Sequence, residues 1–67
     1  MPNTELLKTK MKDSGMTVIS ISEKSGVDRA TIYNRLNGRG EWLVSEVLGI
    51  SNALKLTNAE RDEIFLT

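Results

Sequence analysis

The run Ser25-Gly26-Val27-Asp28-Arg29-Ala30-Thr31-Ile32-Tyr33-Asn34-Arg35-Leu36-Asn37-Gly38 constrains the fold of this chain more than any other segment. Gly26 can take the positive φ that stops a helix abruptly, and Val27 can plug the angle between two helices. Asp28 can then accept hydrogen bonds from the free amides that open the next helix. Ile32 and Leu36 stand four residues apart on one side of that helix. Arg29, Ala30, Tyr33, Asn34 and Asn37 are left on the other side. The run therefore predicts two helices joined at a tight turn, the second apolar on one edge and polar on the other.

A chain of 67 residues suffices for one small domain with one core. It contains neither cysteine nor histidine, which removes disulfides, thiolate or imidazole metal sites and the usual general base. No metal or other cofactor is expected. The acidic residues Asp13, Glu23, Asp28, Glu60, Asp62 and Glu63 have no nucleophile and base beside them in any catalytic pattern, so the chain is not expected to be an enzyme. No apolar run approaches the roughly 20 residues that span a bilayer, and the polar start Met1-Pro2-Asn3-Thr4-Glu5 does not resemble a secretory signal. A soluble cytoplasmic protein without a membrane partner is the expectation.

Apolar spacing predicts an all-α fold, a compact bundle of five short helices in a single domain spanning residues 1–67. The first helix follows a cap at Asn3 or Thr4, runs through Leu6, Leu7 and Met11, and stops near Ser14-Gly15. The second opens at Thr17, turns Val18 and Ile21 inward, sets Ser22 close to the third helix, and ends at Ser25-Gly26. The third covers about residues 29–37, after which Gly38-Arg39-Gly40 makes a flexible corner leading to Trp42. The fourth, from about Val44 to Leu54, is expected to bury Val44, Val47, Ile50 and Leu54. Its start is weakly marked, because Leu43 offers no side-chain cap, and Gly49 within it costs about 1 kcal/mol relative to alanine. The fifth opens on the capping-box pattern Thr57-Asn58-Ala59-Glu60 before Ile64, Phe65 and Leu66.

The formal net charge is zero, a weak recommendation for a nucleic-acid ligand whose affinity leans on Lys and Arg. The charge is nevertheless segregated. Residues 1–40 hold Lys8, Lys10, Lys12, Lys24, Arg29, Arg35 and Arg39 against Glu5, Asp13, Glu23 and Asp28, a balance of +3. Residues 41–67 hold Lys55 and Arg61 against Glu41, Glu46, Glu60, Asp62 and Glu63, a balance of −3. A mildly basic front and an acidic rear are expected.

The spacing from Gly26 through Thr31-Ile32 to Asn37-Gly38 resembles the phage Cro/repressor-type helix-turn-helix family, the lambda-repressor-like DNA-binding domains, over residues 4–66. That resemblance implies a sequence-specific transcriptional regulator of a phage or mobile element, acting in a bacterial cytoplasm on lysogeny. It would set its recognition helix in the major groove of double-stranded operator DNA, as a homodimer. Arg29 would then bind guanine through two parallel hydrogen bonds, Asn34 would do the same with adenine, and Ala30 or the Tyr33 ring would meet a thymine methyl. Thr17, Thr31, Asn37 and Arg39 would meet phosphates. Two departures weigh against tight DNA binding. Asp28 stands where relatives carry Ser or Thr, and the second helix lacks the Gln often found at its start.

A further departure points to a protein partner. Leu48 occupies a position where related sequences carry a charge, and with Trp42, Phe65 and Leu66 it would form an apolar patch, unless Trp42 and Phe65 serve as core residues, the role that a chain with three aromatics favours for them. The patch would suit a second subunit. It would equally suit a repressor protein, if the chain acts as an antirepressor or modulator that binds a repressor rather than DNA.

Overall fold

The computed structural model describes residues 2–66, and they fold into five helices with no strand among them. These are α1 (Thr4–Ser14), α2 (Val18–Ser25), α3 (Arg29–Leu36), α4 (Val44–Ala53) and α5 (Asn58–Phe65). Four of them start on a side-chain cap. Asn3 accepts from the Leu6 amide at 3.1 Å, Thr17 from Ser20 at 3.1 Å, Asp28 from Ala30 at 3.2 Å, and Thr57 from Glu60 at 3.1 Å. Each bond satisfies one amide that the first helical turn leaves without a partner. Leu43 caps α4 with no side-chain bond. There the Glu46 carboxylate reaches back and accepts the Leu43 N–H at 3.0 Å, supplying half of a capping box.

One core joins all five helices: Leu7 and Met11 from α1, Ile21 from α2, Val27 from the turn, Ile32 from α3, Ile50 and Ala53 from α4, and Ile64 from α5. Burial of each large aliphatic side chain contributes about 1.5–3 kcal/mol before chain entropy is set against it. Val18, Leu36, Trp42, Leu54 and Phe65 pack around this core and are partly buried. The most extensive helix contact is α2 against α4. It explains Gly49, because a Cβ there would run into the carbonyl oxygen of Ser25 at the end of α2. The glycine that weakens α4 as a helix lets α4 approach α2 at backbone distance.

The expected burial of Val44 is incorrect: this side chain is 78% exposed. Contact through Gly49 centres the buried arc of α4 on Ile50 and Ala53. Val44 lies about 120° around the helix from Ile50, and Leu48 about 160°. Both face away from the core, whereas Val47 and Leu54 keep partly buried places.

Between α1 and α5, Lys10 holds Glu60 at 2.6 Å. The bond from Lys10, followed by the backbone and side-chain bonds of Thr57, lowers the Glu60 carboxyl to about 2. The same bond raises the Lys10 ammonium above its ordinary value.

Candidate nucleic-acid interface

Three residues, Gly26, Val27 and Asp28, join α2 to α3. Gly26 ends α2 at φ 75°, in the left-handed region, with its N–H donating to the Ser22 carbonyl at 2.9 Å. The Ser22 hydroxyl donates to the Val27 carbonyl at 2.6 Å, and the Val27 N–H donates to the Ser25 hydroxyl at 3.1 Å. Val27 itself is buried. The turn is thus closed by its own polar groups and anchored by one apolar side chain. Ser22 uses its hydroxyl to clamp the backbone of the turn.

The helix beyond the turn has α2 as its principal helical neighbour. Ile32 is fully buried beneath it, and Leu36 packs partly buried against the same core. Arg29, Ala30, Tyr33 and Asn34 are exposed, and Asn37, which caps the C-terminal end, is exposed too. Thr31 is half-buried. Thr17 is exposed at the N-terminus of α2, and Arg39 is exposed in the loop after α3. Asp28 keeps its carboxylate on the Ala30 amide, so its charge sits on the opening of the helix where backbone dipoles favour an anion.

The basic residues counted along the chain divide sharply once folded. Lys10 is engaged with Glu60, and Arg35 with Glu46 at 3.3 Å. Lys24, Arg29 and Arg39 make no ion pair among the described residues. Arg29 and Arg39 therefore remain available to an outside anion at the two ends of α3.

Sequence reasoning passed over Arg35, three residues after Ile32 and so beside the buried edge of α3. Its guanidinium grips both oxygens of Glu46 and donates to the Arg39 carbonyl at 3.1 Å. The signal that could have found its partner was Glu46 itself, an acidic residue at the third position of a helix whose cap position carries no polar side chain.

Beside the loop after α3, Trp42, Leu48, Phe65 and Leu66 line one open groove of about 880 Å3, with Val44 and Val47 beside them and with Arg35, Gly38 and Gly40 in the same lining. Trp42 and Phe65 are partly buried and meet edge to face, their ring centroids 5.4 Å apart at 73°. Leu48 and Leu66 stay open to solvent at 48% and 76%, with Val44 the third bare aliphatic side chain on this surface. Arg61, Asp62 and Glu41 contribute charges of both signs to its lining.

The described residues contain no cluster of acidic side chains arranged to hold a metal ion, and no helix long and apolar enough to cross a membrane. Comparison with known proteins found no matching family model, no similar curated protein and no similar solved structure.

Proposed function

We propose that this chain is a sequence-specific DNA-binding regulator, a helix-turn-helix protein that lays α3 in the major groove of duplex operator DNA. The supporting observation is the division of α3 into a buried apolar edge, Ile32 and Leu36, and an exposed face carrying Arg29, Ala30, Tyr33 and Asn34. A helix held from behind in this way can bring its N-terminal side chains to base edges without losing its own packing. Arg29 reads a guanine and Asn34 an adenine, while Ala30 and Tyr33 offer carbon atoms to a thymine methyl. Phosphates are met by the amides at Thr17, by Arg39, and by Thr31 and Asn37. The regulated decision is that of a phage or mobile element, as the resemblance to Cro/repressor-type proteins implies.

A single unit reads only a few base pairs, so the working form is a homodimer on two half-sites. The second copy seats its groove on the first, covering Leu48, Leu66 and Val44 around the Trp42–Phe65 pair. Arg61, paired with Asp62 of its own chain at 3.1 Å, and Glu41 put charge of both signs on the lining of this groove. The same bare groove, together with zero net charge, favours one second reading, in which the chain is an antirepressor and the groove takes a repressor protein.

Selection from random duplex DNA, followed by affinity for the enriched sequence across a salt series, separates the two. An enriched palindrome identifies a dimeric operator binder. Arg29→Ala should then cost about 1–3 kcal/mol and relax preference at one base pair, whereas Arg39→Ala should weaken every sequence alike and reduce the salt slope by about one. Leu48→Glu should abolish self-association and leave the fold intact. The absence of enrichment, with only weak salt-sensitive binding, would overturn the operator reading in favour of the antirepressor.

A further inference from the structure

The loop that follows α3 contains two glycines, yet it is tied down at both ends by one ion pair. From α3, Arg35 sends Nε and Nη2 to the two oxygens of Glu46 at 3.3 and 3.4 Å, and Nη1 to the Arg39 carbonyl at 3.1 Å. From α4, Glu46 returns one of those oxygens to the Leu43 N–H at 3.0 Å. The pair is well covered, with the side chains only 17% and 13% exposed. A two-pronged Arg–carboxylate contact fixes orientation as well as distance, which a lysine cannot reproduce.

The backbone is shaped to admit the guanidinium. Gly40 has φ 74°, and a Cβ on it would stand 2.5 Å from Arg35 Nη1. Any other residue here would meet both backbone strain and the guanidinium. Backbone bonds complete the seating: the Gly38 N–H donates to the Arg35 carbonyl at 3.1 Å and the Arg39 N–H to the Asn34 carbonyl at 2.7 Å. Arg39 is thus an exposed cation on a backbone held from both sides, whereas a free Gly-Arg-Gly segment would have to be ordered on each binding event.

Resting on the DNA-binding reading above, we propose that Arg35 and Glu46 are positioning residues for phosphate binding. They hold residues 38–40 in the one shape that presents Arg39 to the DNA backbone, and neither touches DNA itself.

The proposal reverses the sign expected from charge alone. Neutralising Glu46 makes the protein more positive, so simple Coulomb attraction to a polyanion would strengthen DNA binding. Loss of positioning weakens it. Glu46→Gln suits the test because the amide oxygen still accepts from Leu43, and Arg35→Lys removes the fork while keeping the positive charge.

The test measures the affinity of the full chain for a duplex carrying its enriched site, across a salt series, for wild type, Glu46→Gln, Arg35→Lys, Arg39→Ala and the Glu46→Gln/Arg39→Ala double variant. Thermal melting by circular dichroism confirms that each is folded. Glu46→Gln and Arg35→Lys should each weaken binding several-fold and shrink the salt slope by about 0.9, the share of one phosphate contact, as Arg39→Ala does. The double variant should bind no more weakly than Arg39→Ala alone. Binding by Glu46→Gln equal to or tighter than wild type, or losses that multiply in the double variant, would overturn the positioning role and leave the DNA-binding reading standing. Wild-type protein that binds no duplex would overturn that reading, and this proposal with it.

Discussion

The junction of α2 with α3 and the edge where α4 meets α5 are built from similarly apolar residues and end in opposite states. At the junction, Ile21, Val27 and Ile32 are buried and the turn's polar groups bond to one another through Ser22 and Ser25. At the edge, Val44, Leu48 and Leu66 remain bare around Trp42 and Phe65. The first arrangement is complete within one chain, and what it leaves outside is polar. The second has apolar surface that the described residues do not cover. A substitution at the junction should therefore cost stability, and one at the edge should change association instead.

Ile32→Ala and Val44→Ser test that division most strongly. The first opens a cavity under α3 and should cost about 2–5 kcal/mol, whereas the second should change dilute-solution stability by no more than about 0.5 kcal/mol. Urea unfolding followed through Trp42, the sole tryptophan, measures both. Similar losses at low concentration would erase the distinction, and a Val44→Ser loss that appears only as concentration rises would sharpen it by showing that a second copy covers the edge.

Gly49→Ala should produce the next largest effect. Helix propensity alone expects a gain of about 1 kcal/mol, but a Cβ would run into the Ser25 carbonyl at the end of α2. The structure therefore predicts a loss of about 1–3 kcal/mol from overpacking, read as a lower melting temperature. A higher one would mean that the helices separate at little cost.

Ser51→Ala should act in the opposite direction. The Ser51 hydroxyl is buried in α4 without a hydrogen-bond partner among the described residues. Removing it should stabilise the fold by about 1 kcal/mol, and an unchanged or lower midpoint would argue against that gain.

The smallest effect is expected from the Lys10–Glu60 pair, whose side chains are 31% and 32% exposed and so partly screened by water. Glu60 titrates at about 2 in the fold against its ordinary 4.5. Its contribution is therefore present above about pH 4.5 and lost as pH falls toward 2, because the unfolded chain takes up the proton first. Melting temperatures of wild type and Glu60→Gln should converge across that interval, with wild type higher only above it. Parallel curves would remove Glu60 from the acid response.

The caps, the turn and the buried side of α3 were legible in the residues because each depends on neighbours within four positions. Asn3, Thr17, Asp28 and Thr57 all cap as their types suggest. The exposed set Arg29, Ala30, Tyr33 and Asn34 was legible for the same reason, since Ile32 and Leu36 fix the phase of α3. Val44 was misread because three- and four-residue spacing gives a helix two possible edges, and which is buried depends on the neighbouring helix. Arg35 was missed because its partners lie at the start of α4 and in the intervening loop.

Local chemistry in the chain alone settled that there are five helices, roughly where they begin and end, and which face of α3 is polar. Hydrogen-bonded caps and a 3.6-residue period act within a single helix and need no knowledge of its neighbours. The tertiary structure alone decided the distance at which α2 meets α4, hence the need for Gly49, the outward turn of Val44, and the closure of Arg35 on Glu46. Those outcomes depend on side chains brought together across the bundle, where close packing rather than sequence spacing determines which atoms can touch.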